Sequence, residues 1–264
     1  MEQTSFWSST LAFIQTWSPL DVILIAQNID RFLYGAWVTL QLTVLALILG
    51  GIIAIPMAIA RANKKIYLSG PIWLYTYFFR GTPLLVQTYL IYYGLGQFEW
   101  VRESVLWGPI LSNAWWCALI AFTLNTAAYT TELFRGAIVT TNKGEIEAAK
   151  ACGLSRFMCM RRIILPSALR RALPAYSNEV IFMLHGSVVA STITIQDLLG
   201  VGRWLNGRYY LAYEGFITAA VFYFILVLIV ARIFRYWEKN WLAHLYPVEV
   251  KKDLKKKRFA SIRF

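Results

Sequence analysis

Asn142-Lys143-Gly144-Glu145-Ile146-Glu147-Ala148-Ala149-Lys150-Ala151-Cys152-Gly153, followed after nine intervening residues by Ile163-Ile164-Leu165-Pro166, decides how this chain is read. The stretch lies in a polar, basic segment between two strongly hydrophobic spans. Asn142 suits a helix N-cap, with Glu145 three residues on as its capping-box partner. Glu145 and Glu147 then lie at the start of the helix, where the macrodipole favours negative charge. Ile146, Ala149 and Cys152 recur at helical spacing and make one small apolar face. Gly153 is a natural stop, and a second helix is predicted from about Ser155 to Pro166. The pattern describes a short helix-Gly-helix peg, with Ala148 and Ala149 small enough for close backbone approach by a partner. A plain solvated loop is the alternative.

Outward from the peg, the composition is that of a membrane protein. Hydrophobic residues make up 58% and charged residues 15% of the chain, against about 25% charged in soluble domains. A bilayer core takes roughly 20 apolar residues per helix, and several windows reach that length. The alternating segments of about 10 residues that mark an outer-membrane barrel are absent. The chain opens Met1-Glu2 without a basic region or a small-x-small cleavage site, so no secretory signal is expected. Cys117, Cys152 and Cys159 are odd in number and lack C-x-x-C spacing, which predicts neither a disulfide nor a metal site.

Five spans are predicted: about 33–60, 72–94 (interrupted by Arg80-Gly81-Thr82-Pro83), 110–133, 173–199 and 216–234. The apolar patch 11–26, broken by Pro19 and Asp21, suits an interfacial helix. Basic residues divide 21 to 4 between the two sides, with Arg80 inside a span. The positive-inside rule then puts the N-terminus outside, and the peg and the C-terminus in the cytoplasm. Tyr92, Trp100, Trp107, Trp204, Tyr236 and Trp241 fall at span ends, as an aromatic belt requires. A net charge of +12 raises the question of nucleic acid, but the basic residues form no stripe on a base-reading fold. The run from Lys251 to Arg258 more naturally touches anionic membrane lipid.

Ionisable and polar groups inside the spans are candidates for function. Arg80 lies roughly 13 Å into the second span, at a helix break of the kind that lines transport cavities. It would either face such a cavity or pair with Glu132 or Glu179. Glu179 suits a cationic side chain or an α-ammonium group, or else an ion pair within the bundle. His185 is read as a hydrogen-bonded core histidine or as a ligand. Thr82, Asn125, Tyr129, Thr130 and Ser187 complete the candidate substrate pathway. Asn125 and Tyr129, four residues apart, would either bind an amino-acid backbone or bridge helices.

The E-A-A-x3-G-x9-I-x-L-P pattern resembles the coupling loop of permease subunits in bacterial ATP-binding-cassette importers. Phe79-Arg80-Gly81-Thr82-Pro83-Leu84, Asn125-Thr126-Ala127-Ala128-Tyr129-Thr130-Thr131-Glu132 and Leu173-Pro174-Ala175-Tyr176-Ser177-Asn178-Glu179-Val180 are similar to motifs of polar amino-acid importers, the resemblance pointing to M-type permeases of histidine/lysine/arginine/ornithine systems. Together they cover about residues 35–240. The resemblance implies an all-α polytopic fold of five transmembrane helices, the type I ABC importer permease fold, with a cytosolic coupling helix. Its implied organisation is a periplasmic or interfacial segment 1–32, a transmembrane domain 33–240 with its coupling loop at 142–166, and a cytosolic basic tail 241–264. Glu145, Glu147, Ala148, Ala149, Gly153, Leu165 and Pro166 would couple to the ATPase. The implied partners are a homologous Q-type permease, two ATPase subunits and a periplasmic amino-acid-binding protein. The implied location is the bacterial inner membrane.

No G-x-x-x-x-G-K-[ST] occurs, so no P-loop is expected here. ATP and Mg would be used by the partner ATPase, and no cofactor is expected on this chain. Two rival classes remain in view. A self-sufficient secondary transporter or channel would favour inverted repeats, which five spans do not divide into. A membrane enzyme would need an acid/base or metal constellation, but His185 and His244 fall on different elements and no H-E-x-x-H occurs.

Overall fold

The computed structural model describes residues 20–63 and 65–241, and every regular element among them is helical. Two helices, Ile29–Arg61 and Ala212–Trp241, are long and apolar enough to cross a bilayer on their own. The pair Arg156–Ile193 and Leu198–Tyr209, bent by 43°, forms a third candidate.

A short helix α1 (Val22–Gln27) is capped by Asp21, whose carboxylate accepts from Leu24 N–H at 2.9 Å. It is the described part of the predicted interfacial segment; residues 1–19 and 242–264, including the basic tail, lie outside the described residues. Helix α2 (Ile29–Arg61) packs along α6 (Ala114–Val139), the most extensive helix pair in the bundle. In lipid no hydrophobic driving force separates protein from acyl chain, so helices adhere through close packing of small residues. The α2–α6 seam is built that way: Ala46, Ala54, Ala58, Ala118, Ala121 and Ala127 are all buried. A Cβ at Gly50 would stand 2.8 Å from Thr126 Cγ2 and 3.1 Å from the Ala127 backbone nitrogen, so the two helices meet there only because position 50 is glycine.

The second span is broken where Pro83 dictates. Helix α3 (Ile66–Gly81) ends in the extended residues Thr82 and Pro83, and α4 (Leu84–Tyr89) restarts the helix and passes into a π-helical turn at Leu90–Gly94. A proline disfavours helical backbone in the residue before it, and Thr82 accordingly has ψ 143°. A four-residue helix, α5 (Glu99–Arg102), and a π-helical turn at Trp107–Leu111 lead to α6.

The fourth span departs from its predicted limits. Helix α9 (Leu165–Gly186) tightens into a 3₁₀ segment, Ser187–Ile193, which ends in the left-handed residue Thr194 (φ 74°). The chain then turns into a separate helix, α10 (Leu198–Tyr209). Asp197 caps it, accepting from Gly200 N–H at 2.8 Å, while Thr39 Oγ1 on α2 accepts from Leu198 N–H at 3.1 Å. The span therefore stops near 193 rather than 199. Helix α11 (Ala212–Trp241) closes the bundle against α10, where a Cβ on Gly215 would lie 2.5 Å from Gly202 O.

Candidate functional site

The break in the second span frees backbone carbonyls inside the bundle, and each needs a donor. Gln87 supplies most of them. Its Nε2 lies 2.7 Å from Phe79 O, 3.0 Å from Thr82 O and 2.8 Å from Thr82 Oγ1. Its Oε1 accepts from Asn125 Nδ2 at 3.0 Å, and that same amide lies 3.3 Å from Phe79 O. Tyr129 Oη donates to Arg80 O at 3.3 Å, and Tyr75 Oη donates to Leu124 O at 2.6 Å. Asn125 and Tyr129, spaced to share one face of α6, thus tie that helix to the break. Gln87 is the functional residue that sequence reasoning missed; the signal was a polar side chain four residues past Pro83 inside an apolar run.

Beside the break lies a half-open cavity of ≈ 520 Å³. Arg80, Thr82, Asn125, Tyr129 and Glu179 all line it, with Phe182 and Met183 giving an apolar wall. The Arg80 guanidinium stands over the Tyr129 ring, 5.3 Å from its centroid. Of the two carboxylates proposed for Arg80, Glu132 is already engaged. It receives Arg61 Nε at 3.1 Å, Arg135 Nε at 2.6 Å and the Thr76 hydroxyl at 3.0 Å. Neither Arg80 nor Glu179 is in an ion pair among the described residues. The cavity therefore offers one cation and one carboxylate on facing elements, which suits a ligand carrying both charges.

Three of the sequence candidates are placed elsewhere. Thr130 is fully buried on α6 away from the cavity lining. Ser187 is also fully buried, and its hydroxyl donates to Leu184 O at 2.7 Å, which tightens the end of α9. His185 is neither in the core nor in the cavity: it lies on the exposed side of α9.

The peg is a second site. Helix α7 (Lys143–Ala151) is capped by Asn142 Oδ1, which accepts from Gly144 N–H at 2.9 Å. Its end is a Schellman motif: Leu154 N–H donates to Ala149 O at 3.1 Å, and Gly153 N–H to Lys150 O at 2.9 Å. Gly153 has φ +76°, the left-handed conformation that favours glycine. Ala149 is buried, whereas Glu145, Glu147 and Ala148 are exposed. The second helix does not stop at Pro166 as predicted. Ser155 caps α8 (Arg156–Cys159), a π-helical turn at Met160–Ile164 follows, and α9 begins at Leu165 with Pro166 in its first turn. A first-turn proline lacks only an N–H that helix starts leave free, so it opens the span instead of closing the hairpin.

One side chain joins both ends of this loop. Arg171 Nη2 donates to Thr141 Oγ1 at 2.8 Å and to Ala137 O at 3.0 Å, and Nη1 donates to Ser167 Oγ.

A broken span beside a charged cavity, with a capped peg on a polar loop, suits a membrane transport permease, and the likeness to known proteins agrees. The chain belongs to the family described as binding-protein-dependent transport system inner membrane component, which matches residues 46–242. It is 47% identical over 213 residues to the histidine/lysine/arginine/ornithine transport system permease protein HisM of Escherichia coli (strain K12), covering 81% of this chain and 90% of that one. It is 46% identical over 216 residues to the octopine transport system permease protein OccM of Rhizobium radiobacter, covering 82% and 88%. Among solved structures, an amino acid ABC transporter with histidines superposes with a TM-score of 0.75 at 30% identity, covering 84% of this chain and 100% of that one. The inward-facing MetNI methionine ABC transporter, at 18% identity, shares the fold with a TM-score of 0.63 over 79% and 97%.

Proposed function

We propose that this chain is the M-type permease subunit of an ATP-driven importer for basic amino acids, and that its own cavity holds the substrate in transit. The observation that carries the reading is the placing of Arg80 and Glu179 on one cavity, neither of them in an ion pair among the described residues. Glu179 would take the cationic side chain or the α-ammonium group, and Arg80 the carboxylate. Thr82, Asn125 and Tyr129 hold the broken backbone that presents Arg80. The substrate class named for HisM and OccM supports this choice.

The subunit works beside a homologous Q-type permease, on two ATPase subunits that consume ATP and Mg, and receives its amino acid from a periplasmic binding protein. We place the N-terminus in the periplasm and the C-terminus in the cytoplasm across five spans, the orientation that the 21-to-4 division of basic residues favours. The ATPase engages the exposed face of α7 through Glu145, Glu147 and Ala148, while Ala149 and Gly153 set the peg's shape and Leu165 and Pro166 carry its motion into α9.

Uptake by the complete importer in proteoliposomes tests the assignment. Glu179→Gln should raise the KM for arginine by about tenfold, the factor for 1.4 kcal/mol, with unchanged complex assembly. Unaltered uptake kinetics would exclude the cavity as the route, and transport without the ATPase would exclude the ATP-driven reading.

A further inference from the structure

A second cavity, ≈ 530 Å³ in volume, opens between the start of α9 and the end of α11. Pro166, Leu169 and Arg170 line it from α9, and Asn240 and Trp241 line it from α11. Its volume falls within the about 300–1,000 Å³ of small-molecule sites. The lining has two chemistries. Leu169, Pro166 and Trp241 give the lining its apolar part, while Arg170 and Asn240 carry N–H donors. Arg170 is exposed and in no ion pair among the described residues. Arg162, Arg235 and Lys239, all exposed, lie within two turns of the lining residues, against one carboxylate, Glu238. Trp237 and Trp241 are large exposed aromatics of the kind that settle at headgroup level.

We propose that this cavity is a binding site for the headgroup of an anionic phospholipid. The phosphate would meet Arg170 and Asn240, and the first acyl carbons would lie against Leu169 and Trp241. Basic pockets between membrane helices on the cytoplasmic side take anionic headgroups in this manner; placing this end in the cytoplasm rests on the orientation proposed above. Two rival occupants fit less well. The chain's own tail is rich in lysine from Lys251 to Arg258 and would be repelled by Arg170. An acidic surface of the ATPase would satisfy Arg170 but leaves the apolar part of the lining and the headgroup-level tryptophans unexplained. The position gives the lipid a role, because Pro166 belongs to both the cavity and the start of the helix that leaves the peg.

Native mass spectrometry of the intact permease–ATPase complex, purified with added phosphatidylglycerol or phosphatidylcholine, tests the site independently of transport. Phosphatidylglycerol should be retained preferentially, and Arg170→Gln should lower its retention about fivefold, the worth of one basic residue at an anionic surface, with phosphatidylcholine unaffected. A tail variant, Lys251→Gln/Lys252→Gln, should keep the retained lipid. Equal retention of the two lipids overturns the proposal, as does undiminished phosphatidylglycerol in Arg170→Gln. Displacement by millimolar inorganic phosphate in place of lipid would assign the cavity to free phosphate. Loss of the ATPase from Arg170→Gln without loss of lipid would assign it to subunit docking; either result also overturns the lipid site.

Discussion

Arg171 on α9 donates to Thr141 Oγ1 at 2.8 Å, across thirty residues of chain that form the peg. The same guanidinium reaches Ser167 just beyond the loop, so both ends of the peg are held by one side chain. Charge-assisted hydrogen bonds of this kind contribute about 1.5–3 kcal/mol each. Arg171→Met should therefore lower the thermal midpoint of the detergent-solubilised complex and loosen coupling, with ATP hydrolysed per amino acid imported rising severalfold. An unchanged ratio of hydrolysis to uptake would show that the staple does not steer the peg.

Gly153 isolates backbone conformation from space. A Cβ there meets no atom within 4 Å, yet φ is +76°. Alanine should cost about 1–2 kcal/mol of local stability, the left-handed penalty, whereas asparagine, which tolerates that region, should cost less. Stimulation of the ATPase by substrate-loaded binding protein is the readout: Gly153→Val should lose it, and Gly153→Asn should retain most of it. Equal behaviour of the two variants would sink the conformational account.

Gln87 holds the break in the second span, and a leucine there removes its donors from the half-buried carbonyls of Phe79 and Thr82. Each unsatisfied buried group costs about 1–3 kcal/mol. Gln87→Leu should lower both complex yield and uptake, and Gln87→Glu, which keeps the size but loses the amide N–H groups, should not rescue it. Rescue by glutamate would mean that packing, not donation to Phe79 and Thr82, is what position 87 supplies.

Glu132 gathers α2, α3 and α6 at one point through Arg61, Thr76 and Arg135. Glu132→Gln should cost about 1–3 kcal/mol, less than the about 3–5 kcal/mol of a fully buried pair, because the Arg135 side chain is 34% exposed. Removing both cations as well, in Arg61→Met/Glu132→Gln/Arg135→Met, should recover part of the loss. A melting temperature that ignores the single substitution would reduce the cluster to a surface contact.

Much of this architecture was legible because local chemistry wrote it. Pro83 places the break, and Asn142 and Gly153 place the two ends of α7, each by a rule that operates within four residues. Elsewhere the deciding contact comes from distant chain. The end of the fourth span at Thr194 carries neither glycine nor proline, and just beyond it the Leu198 N–H is taken by Thr39 of α2, 159 residues away. Gln87 owes part of its role to Asn125 on α6, which donates to its Oε1 from 38 residues away. His185 shows a further limit: hydropathy identifies a membrane helix but not which of its faces the bundle covers. Pro166 misled for the opposite reason, since a proline marks a helix start as readily as a helix end.

From Arg156 the helical path continues through the π-turn and α9 to Glu179, roughly 35 Å at 1.5 Å per residue. The second half of the peg and the cavity therefore lie on one continuous helical path, and residue count along it helps set their angular phase. A single residue inserted between Arg171 and Leu173 would rotate Glu179 by about 100° relative to the peg. Sequence length in this segment is thus under a different constraint from sequence identity: the helix can exchange side chains freely on its outer face, but it cannot change its register without turning the carboxylate out of the cavity.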